Sequence, residues 1–230
     1  MNDDDLKSIY INNYTSKSGE KLKLPNGAEA PIGLVRNYGS VFYDLFRESI
    51  NDKKINQRFN LKDKVILDIG CGSGQFCYDA VSLFGAKNAY GIDIASVSLG
   101  ITDSFVSDQV KFFDGDSTKI PLEDDSVDIV TSFLVLEHIP IDDLMNVLSE
   151  MDRVSKEGWI LSIHHLGSSK NTPKRLTVRD FRWWKKEIKK YMSEVELIDI
   201  PSDKGKWGTG ESIRYSRTVS VSKKFRRKND

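Results

Sequence analysis

The chain has 230 residues, 39% of them hydrophobic and 30% charged, and its 34 basic residues balance its 34 acidic ones. This composition is typical of one globular domain with room for an appended segment. No apolar run approaches the ~18 residues needed to cross a membrane. The acidic start, MNDDDLKS, lacks the apolar core of a secretory signal. Its only cysteines, Cys71 and Cys77, fit a reduced, cytoplasmic setting and form no metal-ligand pattern.

The first 60 residues precede the first predicted core strand, and we expect them to form an N-terminal helical cap or lid. Residues 16–31 contain two glycines and two prolines and read as a loop. Residues 38–51 carry apolar side chains at helical spacing. We expect the core domain to cover residues 61–222 and a charged tail to cover residues 223–230.

A glycine-rich turn follows the first core strand. Residues 65–67 are a short apolar run typical of a strand buried on both faces, and Asp68 ends it. The turn GCGSG (70–74) leads into a predicted helix over residues 75–84, an arrangement that opens nucleotide-binding α/β sheets. The dinucleotide fingerprint G-x-G-x-x-G would require glycine where Gln75 stands. An acid directly before the turn instead favours a cationic ligand, such as the amino group and sulfonium of S-adenosylmethionine.

Strands and helices then alternate along the chain. Further strands are predicted over residues 88–93, 109–113, 127–132, 158–164, 195–200 and 213–221, and helices over residues 97–106, 140–155 and 177–191. We take residues 177–180, TVRD, as the capping box of the last helix. This alternation predicts an α/β fold with a doubly wound, mostly parallel seven-stranded sheet. Residues 213–221 would be its antiparallel edge strand.

Asp93 ends the second predicted strand, 19 residues after the last glycine of the turn. An acid near this spacing accepts hydrogen bonds from the ribose hydroxyls of adenosine cofactors. The alternative role is that of a helix N-cap, but Ser96 is better placed for it. We therefore predict that Asp93 binds ribose.

Four segments together resemble the motifs of the class I S-adenosylmethionine-dependent methyltransferases. They are DIGCGSG (68–74), Asp93, DGDS (114–117) continued by IPLEDDSVDIVTS, and FLVLEHI (133–139). The resemblance implies a Rossmann-like methyltransferase fold, S-adenosyl-L-methionine as cofactor and S-adenosylhomocysteine as product. It also implies that Asp116 binds the adenine amino group and that the next amide meets the ring. The implied cofactor site comprises Asp68, Gly70, Cys71, Gly72, Asp93, Ile94, Asp116, Ser117 and Phe133.

All three histidines fall at the predicted functional edge of the sheet. Methyl transfer to an alcohol requires removal of a proton, and histidine titrates in the appropriate range. His138 is our first candidate for the base, ahead of His165 and His164. Alternatively, His138 shapes the cofactor pocket. His164 and His165 face opposite sides of a continuing strand, so one of them would pack or cap. We expect transfer without a metal ion.

We predict methyl transfer to a small molecule or glycan, at oxygen. Residues 170–230 contain 18 basic and 8 acidic residues, which favours an anionic acceptor. The candidate anion-binding residues are Lys170, Lys174, Arg175, Lys204, Lys206 and Arg214. The alternatives are an RNA or N-methyltransferase, a nicotinamide oxidoreductase, or a catalytically silent partner protein. Nucleic acid is disfavoured by the acidic N-terminal part and by the lack of a base-methylation motif. The oligomeric state stays open.

Overall fold

The computed structural model describes residues 21–23, 29–31, 60–95, 97, 100–164, 175–192, 194–198 and 216–222. They belong to two compact units, Met1–Leu122 and Glu123–Asp230. Several predictions fall outside the described residues: the cap helix over 38–51, Ser96, His165, the lysines at 170, 174, 204 and 206, Arg214, and the charged tail. In the described part of the chain, no helix is long and apolar enough to span a membrane.

A short antiparallel strand pair opens the described part of the first unit. Strands β1 (Lys21–Lys23) and β2 (Glu29–Pro31) place Leu22 opposite Ala30. The prediction of a continuous loop over residues 16–31 is therefore wrong at these strands. Pro31 is tolerated in β2 because β2 belongs to a two-stranded sheet and is therefore an edge strand, where a missing N–H can face away from the partner.

Three parallel strands form the sheet of the first unit. They are β3 (Val65–Ile69), β4 (Asn88–Asp93) and β5 (Val110–Asp114), with β4 between the other two. The residues Ile66, Leu67 and Ile69 are fully buried, as expected for a strand covered on both faces. Strand β3 continues one residue beyond Asp68, which the sequence predicted as its end. All three strands run the same way, so their carboxyl ends meet at one edge of the sheet.

In the described part of the first unit, one helix and one 3₁₀ turn accompany this sheet. Helix α1 (Gln75–Ser82) starts after the glycine turn and ends two residues before the predicted boundary. The predicted helix over residues 97–106 is wrong. Within residues 97 and 100–106 the chain forms turns and the 3₁₀ turn Asp103–Phe105. Gly100 has φ +67°, a left-handed conformation that interrupts a helix.

The residues of the second unit that the structure describes form four strands and two helices. Its elements are β6 (Val127–Phe133), α2 (Ile141–Val154), β7 (Ser155–His164), α3 (Phe181–Ile188), β8 (Glu194–Ile198) and β9 (Ser216–Ser222). Strands β6 and β7 are parallel, and β9 is antiparallel to both β7 and β8. The predicted antiparallel direction of β9 is confirmed, but its edge position is wrong because β9 lies between β7 and β8. Parallel strands alternating with helices confirm the predicted Rossmann-like α/β architecture.

The start of α3 differs from its prediction. The N-cap is Asp180, whose carboxylate accepts a hydrogen bond from the Trp183 N–H at 2.8 Å. The capping box proposed for residues 177–180 is therefore wrong. The Thr177 hydroxyl instead donates to the Ile139 carbonyl, so a distant partner decides the conformation here. Helix α3 then buries Trp184 and Ile188.

A buried carboxyl on α1 gives the first unit a pH-dependent stability. Asp79 is 6% exposed, and its Oδ1 accepts a hydrogen bond from Gln75 Nε2 at 3.0 Å. Burial raises the pKa of Asp79 from 3.8 to about 6. Because the folded state holds this proton more tightly, the stability that Asp79 contributes is present below pH 3.8. It is lost as the pH rises through 6.

We expect Asp79→Asn to raise the free energy of unfolding at pH 8 by about 1–3 kcal/mol. The amide oxygen still accepts from Gln75, while the buried charge is removed. Urea unfolding of both proteins at pH 8 and pH 4.5 measures the effect, and the difference should shrink at the lower pH. A variant that is equally destabilised at both values would contradict this account.

Candidate active site

The glycine turn is tied to the neighbouring strand by its backbone. The N–H groups of Gly70 and Cys71 both donate to the Ile92 carbonyl, at 2.8 and 3.1 Å. Gly70, Gly72 and Gly74 have φ values of +67°, +54° and +81°, which favour residues without a Cβ. The turn is therefore a glycine-rich backbone segment that is fixed against β4 at the carboxyl end of β3.

Asp93 is held against this turn by both of its oxygens. Its Oδ2 accepts from the Gly72 N–H at 3.0 Å, and its Oδ1 accepts from the Ala95 N–H at 2.9 Å. These bonds use two of the about four acceptor sites of a carboxylate. The structure thus places Asp93 beside the glycine turn, as its predicted ribose role requires. It also reveals an unpredicted role, which is to fix the conformation of the turn.

Asp116 lies in a tight turn two residues after β5. Its Oδ1 accepts from the Thr118 N–H at 2.6 Å and from the Thr118 hydroxyl. This Asx-type turn leaves Oδ2 without a hydrogen bond among the described residues. The turn is joined to β4 because the Gly115 N–H donates to the Asp93 carbonyl at 3.2 Å. Ser117 and Ile94 are both half-buried beside these strand ends.

Cys71 packs inside the first unit. A Cβ added at Gly91 would lie 2.8 Å from Cys71 Sγ and 2.7 Å from Phe112 Cδ1, so only glycine allows both side chains to approach β4. Burial, followed by a neighbouring thiol and two carboxylates, raises the pKa of the Cys71 thiol well above its usual range. The thiol is therefore protonated and poorly suited to nucleophilic or metal chemistry. Asp68, within β3, is also buried, at 4% exposure.

The second unit contains a sharply turned loop after β6, residues 134–139. Phe133 ends β6 and is 4% exposed. Leu134 adopts φ +58°, unusual for a residue with a Cβ, and its N–H donates to the Ser162 carbonyl at 2.8 Å. The 3₁₀ turn Leu136–His138 follows, closed by the His138 N–H on the Val135 carbonyl at 2.8 Å. His138 is half-buried in this loop.

A second segment of the same unit is bonded to this loop. Residues 175–180, here called the strap, precede α3. The N–H groups of Leu176 and Thr177 both donate to the Glu137 carbonyl at 3.0 Å, and the Thr177 hydroxyl donates to the Ile139 carbonyl at 2.7 Å. Sequence analysis missed Thr177 because a local capping pattern already accounted for it.

The two units therefore contain different parts of the predicted site. The first brings together Asp68, Gly70, Cys71, Gly72, Asp93, Ile94, Asp116 and Ser117 at the carboxyl ends of β3, β4 and β5. The second contains Phe133, His138 and His164, the last residue of β7. Among the described residues, no group of three or more His, Cys, Asp or Glu side chains is placed to hold a metal ion. Metal-independent transfer stays a prediction.

Comparison with known proteins gives consistent matches. Residues 67–163 match the family model described as "Methyltransferase domain". Demethylmenaquinone methyltransferase of Geobacillus stearothermophilus is 32% identical over 114 residues, covering 47% of this chain and 48% of the relative. Arsenite methyltransferase of Mus musculus is 30% identical over 132 residues, covering 51% and 35%. The chain thus spans about half or less of the length of these relatives.

Solved structures share the fold. The PH0226 protein of Pyrococcus horikoshii OT3 aligns with a TM-score of 0.59 and 20% identity, covering 83% of this chain and 93% of that one. Magnesium protoporphyrin IX methyltransferase of Synechocystis PCC 6803, solved with bound S-adenosylhomocysteine, aligns with a TM-score of 0.56 and 17% identity, covering 81% and 86%. The motifs, the α/β architecture and the family match agree: residues 67–163 form a methyltransferase domain of the class I S-adenosylmethionine-dependent family.

Proposed function

We propose that this chain transfers a methyl group from S-adenosylmethionine to an oxygen atom of a small, anionic molecule or glycan. The observation that carries the proposal is the carboxylate of Asp93, fixed to Gly72 at 3.0 Å beside a turn of left-handed glycines. A fixed glycine turn beside an oriented acid is suited to an adenosine cofactor, because glycine lets a ligand lie close to the backbone.

The residues of the first unit fit this cofactor. The Asp93 carboxylate would accept hydrogen bonds from the ribose hydroxyls. Asp116 Oδ2 would accept a hydrogen bond from the adenine amino group. The buried charge of Asp68 would attract the amino group of the methionine part. When bound, the cofactor supplies an electrophilic methyl group on a positively charged sulfur. The protein's contribution is to hold that group in line with the acceptor atom and to exclude water.

The second unit would supply the proton acceptor. His138 lies in a turn whose geometry is set by backbone hydrogen bonds on both sides. An imidazole held in this way can take the proton from an acceptor hydroxyl as the new carbon–oxygen bond forms. His164 ends β7, the strand parallel to β6, and remains a second candidate together with His165.

The proposed negative charge of the acceptor is supported by the chain's own basic residues. The two relatives are named for demethylmenaquinone and arsenite, which differ in chemistry. In this chain the strap carries Arg175, which is half-buried, and Arg179, whose guanidinium lies 5.8 Å from the centre of the Trp183 ring. Arginine binds phosphate and carboxylate groups through paired N–H donors, and such a surface attracts anions from solution.

Transfer of a labelled methyl group tests the proposal. The protein is incubated with S-adenosylmethionine carrying a tritiated methyl group and with a small-molecule cell extract separated by anion exchange. We expect label in the retained, anionic fraction. Label only in the neutral fraction, in RNA or in protein would overturn the acceptor class. Calorimetric binding of NAD without binding of S-adenosylhomocysteine would overturn the cofactor.

We expect reversal of Lys174 and Arg175 to glutamate to raise the apparent KM for the retained fraction by about tenfold or more, since charged hydrogen bonds are lost. The rate should also respond less to added salt. Lys186→Glu with Lys189→Glu makes the same charge change at two exposed positions on or just after α3 and serves as the matched control. An equal rise in KM in both double variants would mean that KM depends on the net charge of the protein and not on Lys174 and Arg175 in particular.

A further inference from the structure

Three hydrogen bonds from the strap end on the two residues that flank His138 in the sequence. Two end on the Glu137 carbonyl, from the N–H groups of Leu176 and Thr177, and one ends on the Ile139 carbonyl, from the Thr177 hydroxyl. Thr177 is therefore bonded to both neighbours of the candidate base. Thr177 is 1% exposed, so its hydroxyl and its N–H have little access to competing water.

The loop is anchored at its other end as well. The Leu134 N–H donates to the Ser162 carbonyl of β7, and Leu134 holds a left-handed backbone conformation that a leucine rarely adopts unaided. Such a conformation persists only where surrounding bonds determine it. With β7 holding Leu134 and the strap holding Glu137 and Ile139, the orientation of His138 depends on both anchors.

We propose that Thr177 is a positioning residue that orients His138 for proton removal. This inference rests on the proposed function, in which His138 is the base. Thr177 has no chemical step of its own. Its amide fixes the Glu137 carbonyl, whose peptide unit joins Glu137 to His138. Its hydroxyl fixes the Ile139 carbonyl, whose peptide unit joins Ile139 to Pro140, so the backbone is held just before His138 and one residue after it. Because the same strap carries Arg175 and Arg179, the anion-binding residues and the base would be held by one backbone segment.

Two variants of Thr177 separate positioning from packing. Thr177→Val keeps the branched shape and removes the hydroxyl, while Thr177→Ser keeps the hydroxyl and removes a methyl group. We expect Thr177→Val to lower kcat for the retained anionic fraction by about 10- to 100-fold, with KM changed less than about threefold. Thr177→Ser should keep kcat within about threefold of the wild type. The affinity for S-adenosylhomocysteine should be unchanged in both.

A matched control removes another buried hydroxyl from the same unit. Ser155 is fully buried, and its Oγ accepts a hydrogen bond from Trp159 Nε1 at 3.1 Å. It begins β7, whereas His164 ends that strand. Ser155→Ala should lower thermal stability and leave kcat close to that of the wild type. If Thr177→Val and Ser155→Ala reduce kcat by the same factor, Thr177 is only structural and the inference is wrong. The inference is also wrong if Thr177→Ser lowers kcat as much as Thr177→Val does.

Hydrogen–deuterium exchange provides a test that needs no acceptor. Thr177→Val should speed exchange in peptides covering residues 134–139 and 176–177, and Ser155→Ala should not. Unchanged exchange in Thr177→Val would overturn the inference even if the enzyme is active. A separate outcome is that the wild type labels no extract fraction while Thr177→Val still speeds exchange in the loop over residues 134–139. That combination would overturn the proposed acceptor and would support the contact between Thr177 and the loop.

Discussion

Replacing Asp93 with alanine should weaken binding of S-adenosylhomocysteine by about 2–4 kcal/mol, or roughly 30- to 1000-fold. Two losses combine in this variant. The ribose hydroxyls lose a charged acceptor, and the Gly72 and Ala95 N–H groups lose the oxygens that hold the turn in shape. Titration calorimetry of the two proteins measures the change directly.

Asp114 provides the matched control for this experiment. It ends β5 directly beside Asp93 in the sheet and is exposed to solvent. Asp114→Ala removes the same charge one strand away and should leave the affinity nearly unchanged. Equal losses in the two variants would attribute the effect to long-range charge and would remove Asp93 from the cofactor site. A thermal melt of each variant excludes global unfolding as the cause.

Replacing His138 with alanine should lower kcat by about 10²–10⁴-fold while the affinity for S-adenosylhomocysteine stays nearly constant. The reason is that general-base catalysis stabilises the transition state, in which the proton is being moved, and contributes little to binding of the cofactor. Single-turnover transfer of the tritiated methyl group into the retained fraction measures the chemical step without the influence of product release.

Two other outcomes would assign His138 a different role. A parallel loss of cofactor affinity would make it part of the cofactor pocket wall. An unchanged rate would move the base to His164 or His165, and the same substitution at those positions would decide between them. An unchanged rate in all three variants would indicate an acceptor such as an amine that is already deprotonated.

Local sequence signals predicted the first unit well. Strand β4 covers the predicted residues 88–93, and β3 and β5 differ from their predictions only at their ends. Here an apolar run, a glycine turn and a terminal acid lie within a few residues of one another, so neighbouring side chains determine both the strand and its place in the site. The one large error in this unit, the helix over residues 97–106, overlooked a helix-breaking glycine at position 100.

The second unit was harder to predict because distant residues determine it. Nothing in the sequence around Thr177 indicates that its hydroxyl is bonded to Ile139, 38 residues earlier. The alternating pattern near residue 216 indicates a strand, and no pattern indicates which strands lie on either side of it. The cap over residues 1–60 and the part played by His165 stay predictions.

The position of β9 has a consequence for how the protein is made. Strand β8 leaves the ribosome before β9, yet its partner in the sheet is β9, which also pairs with β7. Until residues 216–222 emerge, β7 presents an uncovered edge, and nascent β8 has β7 as a competing neighbour. Such an exposed edge favours wrong strand pairing and association between chains. The second unit therefore cannot complete this part of its sheet until residues 216–222 have been synthesised.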